Sequence, residues 1–214
     1  MKRIIILTAC LLALPSWADN NRGFFAGAGI TYSEAFEYPG VEDPVKVKSA
    51  ELLAGYKYNN LLGVEVRYGG GYGSKDFDTA IPPANDGDEA QIADTEYEID
   101  DYYSIYYKPE LINDEARLYG LIGYTSMDRS VKFNSGAQNT ALVASYIANS
   151  PTFETEDEID EDGTLSTSTS GFSYGIGAGW FVNKHLNINV EYRILMRKSD
   201  ERISTAGIYF DYRI

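Results

Sequence analysis

Residues 171–182 read GFSYGIGAGWFV, the stretch on which the fold turns. Phe172, Tyr174, Ile176, Ala178, Trp180 and Val182 share one side of an extended chain, and Ser173, Gly175, Gly177, Gly179 and Phe181 share the other. Successive side chains leave a strand on opposite faces, so a period of two marks a β-strand. One face is bulky and apolar; the other is almost bare.

The same period recurs on both sides of this stretch. Residues 185–197 set Leu186, Ile188, Val190, Tyr192, Ile194 and Met196 against Asn187, Asn189, Glu191 and Arg193, and residues 205–214 set Ile208, Phe210, Tyr212 and Ile214 against Tyr209, Asp211 and Arg213. Toward the N-terminus, strands are expected at 22–32, 45–58, 62–72, 97–108 and 117–127, which makes eight. Tight turns at 59–61, 109–115 and 183–184 alternate with long connections at about 33–44, 73–96 and 128–170 and a shorter one at 198–204. Short turns alternating with long loops are the pattern of a membrane barrel, with the short turns in the periplasm.

Chemistry decides which face looks outward. The less apolar faces hold Glu51, Lys57, Glu65, Arg67, Glu191, Arg193, Asp211 and Arg213 among glycines and serines. A soluble ligand-binding barrel would turn the apolar face inward, crowding Phe172, Tyr174, Ile176 and Trp180 into one narrow lumen. A membrane barrel turns it toward lipid and pairs the charges inside. An unpaired Arg aimed at the bilayer midplane costs about 2–4 kcal/mol, so the register is strongly fixed. The fold class expected is all-β, an eight-stranded antiparallel up-and-down transmembrane barrel. The eight charged residues form its lumen salt-bridge network. An interior of this size is filled by side chains, which argues against an open pore.

The first eighteen residues read as a signal peptide, with Lys2 and Arg3 before an apolar run from Ile4 to Leu14 and small residues Ser16 and Ala18 at the cleavage site. The run is too short to span a bilayer as a helix. Cys10, the single cysteine, falls within it, so the mature barrel domain, 19–214, has no disulfide. Losing Lys2 and Arg3 takes the formal net charge from −14 to −16. Nucleic acid is excluded as a partner, because its phosphates repel such a chain.

Two hairpins carry a family resemblance. Residues 55–70 read GYKYNNLLGVEVRYGG and residues 179–195 read GWFVNKHLNINVEYRIL. Each is strand, Asn-containing turn, then strand with an inward Glu-x-Arg (Glu65/Arg67 and Glu191/Arg193). The chain resembles the outer-membrane β-barrel superfamily of OmpA, OmpX and Ail over essentially its whole mature length. Thr205, Gly207, Phe210 and Tyr212 match the C-terminal signal that such proteins present to the barrel assembly machinery. The chain departs from that signal at Ile214, where a terminal aromatic is usual. The resemblance implies a bacterial outer-membrane location and a structural, adhesive or host-contact role of the virulence type; a monomer is expected.

Candidate chemistry is sparse. His185 is the single histidine and lies beside a short turn, far from the outer leaflet, so no Ser/His/acid hydrolase is expected. The chain is read as a non-enzyme. The long connections are acidic, and Glu158, Asp160 and Asp162 before Gly163 resemble the start of a calcium loop. Thr169 stands where that loop needs its bidentate Glu, and the alternative is a solvated, self-repelling run. No cofactor is expected beyond loosely bound divalent cations, which would bridge these acids to lipopolysaccharide phosphates. The apolar run at 141–148 is either a strand extension, a short helix or an adhesive surface. Candidate partners are outer-membrane lipid and lipopolysaccharide, the barrel assembly machinery, and host surface or matrix proteins. The leading reading is a surface protein working through acidic external loops. The alternatives are a narrow solute pore and an outer-leaflet lipid enzyme.

Overall fold

The computed structural model describes residues 22–36, 44–81, 91–133, 164–198 and 201–214. They form ten β-segments: β1 (Gly23–Phe36), β2 (Val45–Lys57), β3 (Gly63–Gly71), β4 (Lys75–Ile81), β5 (Gln91–Tyr107), β6 (Glu110–Ile112), β7 (Ala116–Phe133), β8 (Thr164–Phe181), β9 (Leu186–Lys198) and β10 (Glu201–Arg213). All pairings are antiparallel, and the β1–β10 and β5–β7 ladders close the sheet into a ring. Ten segments make eight staves. β4 continues β3 past Tyr72–Ser74, where Gly73 takes φ 84°, and both pair with β5. β6 continues β5 past Pro109, which has no N–H to give the ladder, and both pair with β7. The fold is the closed eight-stranded antiparallel barrel read from the sequence.

The three short turns are built alike. Asn59 Oδ1 accepts from the amides of Leu61 and Leu62 at 2.8 and 2.9 Å. Asn113 Oδ1 accepts from Glu115 and Ala116 at 2.9 and 2.7 Å, and Asn183 Oδ1 from His185 and Leu186 at 2.8 Å each. An Asn side chain that bonds its own backbone two and three residues on supplies the turn with its acceptors.

The alternation then sorts the two faces. Ile30, Leu52 and Ile176 are 61, 62 and 70% exposed, together with Val64, Val66, Ile105, Leu118 and Ile208. An apolar belt of this extent is far beyond what a water-facing monomer shows; hydrocarbon is the medium that suits it. Aromatic rings bound it at both ends: Phe24, Tyr58, Tyr107, Trp180 and Tyr212 near the short turns, and Tyr32, Tyr68, Tyr72, Tyr103 and Tyr124 at the far end.

The strands run farther than their apolar pattern suggests. Residues 33–36, 75–81, 91–96, 128–133, 164–170 and 201–204, expected in connections, belong to strands. Beyond the upper aromatic ring the alternation continues with its sense reversed. Ala35, Val45, Val47, Ile99, Val131, Leu165 and Ile203 are buried inside, while Lys46, Asp76, Asp100, Asp128, Ser166 and Ser168 face out. The ring also splits there. Among the described residues, the β2–β3 ladder ends at Ser49↔Gly71 and the β8–β9 ladder at Tyr174↔Ile194. One sheet (β4, β5, β7, β8) thus stands opposite another (β9, β10, β1, β2), with apolar residues turned inward.

One bulge corrects the facing assigned from sequence, and a second interrupts β5. β9 carries an extra residue where its ladder with β10 shifts between Ile203 and Ser204. Leu195 and Met196 are therefore both buried, and Met196 does not share the outer face of Ile194. β5 has its own shift between Ile99 and Asp101. One extra residue inverts every side chain after it. The expected signal segment, 1–18, lies outside the described residues.

Removing the Asn183 carbonyl tests the turn argument. Asn183→Ala is expected to lower stability by about 1 kcal/mol, the usual worth of a side chain capping two backbone amides. Lys184→Ala should change nothing. The readout is the urea midpoint of the folded barrel in detergent micelles.

Candidate functional site

The lumen is a polar interior enclosed by the apolar belt. All eight charged residues assigned to it are buried: Glu51, Lys57, Glu65, Arg67, Glu191, Arg193, Asp211 and Arg213. At mid-height, Arg67 reaches both oxygens of Glu191 at 2.7 and 2.9 Å, Glu51 at 3.2 Å and Glu65 at 2.6 Å. Arg193 pairs with Glu51 and donates to the Tyr209 hydroxyl at 2.6 Å, which in turn donates to Glu51 at 3.0 Å. Nearer the short turns, Asp211 accepts from Asn187 and Asn189 at 2.6 Å each and pairs with Arg117. Arg213 lies 3.6 Å from Glu110.

Four charged members of this network escaped the sequence reading. Lys108 binds Glu65 at 2.7 Å, Glu110 binds Lys57 at 2.7 Å, Arg117 reaches Glu110 at 3.3 Å, and Arg129 donates to Thr169 at 3.3 Å. Lys108 and Glu110 flank Pro109 in a stretch that resembles a turn. The Asn-x-x-Ala at Asn113 is the signal that would have placed them, since it moves the start of the turn from 109 to 113. Three lumen tyrosines, Tyr102, Tyr106 and Tyr119, were also missed, while Tyr209 lies inside with Asp211 and Arg213 as its strand pattern implied. Tyr119 donates to Glu191 at 2.6 Å and Tyr102 donates to Glu51. Their rings lie over glycines of adjacent strands: a Cβ on Gly177 would collide with Tyr119, and one on Gly69 with Tyr102. The bare face of residues 171–182 is thus space that neighbouring side chains occupy: Tyr119 over Gly177, Arg193 over Gly175, and Asn189 and Arg117 over Gly179.

Above the aromatic ring the outer wall is acidic. Asp100 and Asp101 stand on the β5 bulge beside Asp128 of β7, and Ser130 donates to Asp100 at 3.1 Å. Partial burial holds the Asp100 carboxyl above the ordinary carboxylate range; Asp128 and Asp101 push the same way, and the Ser130 hydrogen bond opposes them.

The remaining candidates are placed as follows. His185 lies beside the short turn as expected and is half-buried, its Nδ1 3.0 Å from the Arg213 carbonyl and its ring stacked on Tyr212 at 5.3 Å. Thr205 is buried, while Phe210 and Tyr212 face outward on β10, the strand that closes the ring against β1. Gly207, between them, is half-buried. Glu158, Asp160 and Asp162 lie outside the described residues, as does 141–148. Among the described residues no group of His, Cys, Asp and Glu is placed to hold a metal.

Two outcomes follow. Arg193→Met strips Glu51 of one of its two cationic partners, leaving Arg67, and is expected to cost about 3 kcal/mol, the low end for broken buried pairs. Glu51→Gln with Arg193→Met should recover much of that loss, read as the return of the urea midpoint. Asp100 behaves oppositely with pH. A carboxyl raised on folding contributes favourably below its unfolded pKa and loses that contribution as pH rises through the folded value. Asp100→Asn should therefore raise the midpoint at pH 7 and leave it unchanged at pH 3.

Comparison with known proteins agrees with this architecture. Two crystal structures of Ail, the attachment invasion locus protein of Yersinia pestis, superimpose with TM-scores of 0.55 and 0.54, each at 18% identity. They cover 90 and 91% of this chain and 99% of Ail in both cases; the second holds the heparin analogue sucrose octasulfate. Neisserial surface protein A matches at 14% identity with a TM-score of 0.49, over 92% of this chain and 100% of its own. No curated protein matches in sequence. The model of the outer membrane protein beta-barrel domain matches residues 4–213. This chain belongs to that family, and it is a bacterial outer-membrane protein.

Proposed function

We propose that this protein is a non-conducting, non-enzymatic anchor. It holds an acidic, strand-built platform above the outer membrane for contact with other surfaces, host surfaces included. The lumen carries this reading: a cross-section bridged by Arg67, Glu51, Glu191 and Arg193, all buried, leaves ions no hydrated path. What remains for function is the exterior beyond the aromatic ring. There the strands continue with apolar residues packed inward and Asp76, Asp100 and Asp128 presented outward. Such a wall favours cationic partners and works at short range in physiological salt.

The likeness to Ail, an attachment protein by name and seen with a heparin analogue, supports a surface-contact role. It does not supply the partner's chemistry, because this chain at −14 would repel a polyanion. His185 offers little for hydrolysis, engaged at the short-turn end by the Arg213 carbonyl and Tyr212. Phe210 and Tyr212 on the outer face of β10 suit recognition by the assembly machinery. Divalent cations bridging the acidic exterior to lipopolysaccharide phosphates remain part of this proposal.

Planar bilayers and vesicle adhesion test it together. The purified chain should give no discrete conductance steps. Vesicles carrying it should adhere to a polylysine surface, less so with 0.5 M salt (about a 4 Å screening length) or with Asp76, Asp100 and Asp128 all changed to Asn. Reproducible steps in the wild-type protein would establish the pore instead.

A further inference from the structure

The lipid-facing wall is uneven. On β1, β2 and β10 the positions facing out include Ala28, Ala50 and Ala206, so the wall there is shallow. A furrow of about 560 Å³ crosses the upper half of this wall. Ile30, Ala206 and Ile208 line its apolar part, and Tyr32, Lys48 and Tyr72 line the part nearest the outside.

These last three are brought together by the strand register. Lys48 stands opposite Tyr32 in the β1–β2 ladder, and the Tyr72 amide donates to the Lys48 carbonyl at 2.9 Å. Lys48 faces outward at the upper aromatic ring, the level where hydrocarbon gives way to headgroups. Lys46, one step farther out, lies 3.7 Å from Glu34. Lys48 has no acid partner among the described residues. A lysine flanked by two tyrosines at the rim of an apolar furrow, on a chain that otherwise repels anions, is complementary to one kind of molecule.

We propose that this furrow is a lipid site. An acyl chain of a phosphorylated outer-leaflet lipid lies along Ile30, Ala206 and Ile208. Its phosphate meets the Lys48 ammonium, with the Tyr32 and Tyr72 hydroxyls as further donors. The inference rests on the outer-membrane orientation and not on the adhesive role. Free phosphate would gain nothing from the apolar part, and a neutral lipid would leave the ammonium unanswered. Only an amphiphile with both halves uses the whole furrow.

Native mass spectrometry of the purified barrel in detergent reads the site directly, with lipid A as probe and dephosphorylated lipid A as control. Wild type should retain one equivalent of lipid A. Lys48→Glu should weaken retention about tenfold, equivalent to about 1.4 kcal/mol. Lys48→Arg should keep it, since the charge stays in place. Ala206→Trp, which fills the furrow, should weaken both lipid A and its dephosphorylated form; Ala206→Leu is the milder substitute if the tryptophan prevents folding. Lys184→Glu, at a short turn, should bind as wild type, and heat-dependent gel migration shows that each variant is folded. The proposal is overturned if Lys48→Glu or both Ala206 variants retain lipid A normally. It is also overturned if millimolar inorganic phosphate displaces the lipid.

Discussion

Hydrocarbon offers no hydrogen bond, and every other feature of this molecule answers to that fact. A backbone polar group left open in the bilayer costs several kcal/mol, so the strands must close into a ring. The β1–β10 and β5–β7 ladders do this. Once the ring is closed, the period of two sends half the side chains into lipid and half into an interior too narrow for water to fill. Charged residues admitted to that interior need partners from across the ring. The Arg67–Glu191 pair joins residues 124 apart in sequence, and Arg193–Glu51 joins residues 142 apart. The lumen network therefore ties together strands that share no ladder, such as β3 and β9.

The four lumen tyrosines solve a packing problem set by the same closure. Salt bridges alone leave gaps, because guanidinium and carboxylate groups meet only at their tips. Tyrosine rings laid over glycines of neighbouring strands occupy that volume, and Tyr102, Tyr119 and Tyr209 spend their hydroxyls on Glu51 and Glu191. Each ring thus excludes water while satisfying a buried carboxylate. The cations also sit against the rings, Arg67 at 4.7 Å from Tyr209 and Lys108 at 4.2 Å from Tyr119. A glycine-rich strand such as β8 is stable here because Tyr119, Arg193, Arg117 and Asn189 from neighbouring strands complete its inner surface.

How much of this could be read from the chain depends on contrast between faces. In β8 the contrast is total, bulky against bare, and Phe172 through Trp180 could be oriented by inspection. In β5 tyrosines occupy both faces, Tyr103 and Tyr107 outside and Tyr102 and Tyr106 inside, so hydropathy gives no signal. The charged pairs on β2, β3, β9 and β10 were legible because a charge among apolar neighbours admits one direction only. Lys108 and Glu110 were not, since Pro109 between them interrupts the strand pattern. Met196 shows another limit: a bulge is a property of two paired strands, and nothing in residues 185–197 alone announces it. The acidic residues of β4 and upper β5 look like loop for a related reason. Beyond the membrane the medium changes, and the outer face is expected to be polar there.

That change of medium also sets how deep the protein sits. Within the belt, moving the barrel outward by two residues would bring Ile30 or Tyr68 into water; moving it inward would bring Lys48 or Asp128 toward hydrocarbon. The first loses apolar burial, and the second places a charge where it has no partner. Since the polarity of the outer face reverses on several staves at one level, both penalties rise together on either side of a single position. The exterior sheets are therefore held at a defined height above the membrane. The apolar residues between them, Val47, Ile99, Val131 and Leu165 among them, are buried with no lipid to cover them. Two sheets that bury such faces hold their own shape in water, and the lumen network holds the ring beneath them. Rigidity at the surface and closure of the lumen are two results of one alternation, read in opposite senses by two solvents.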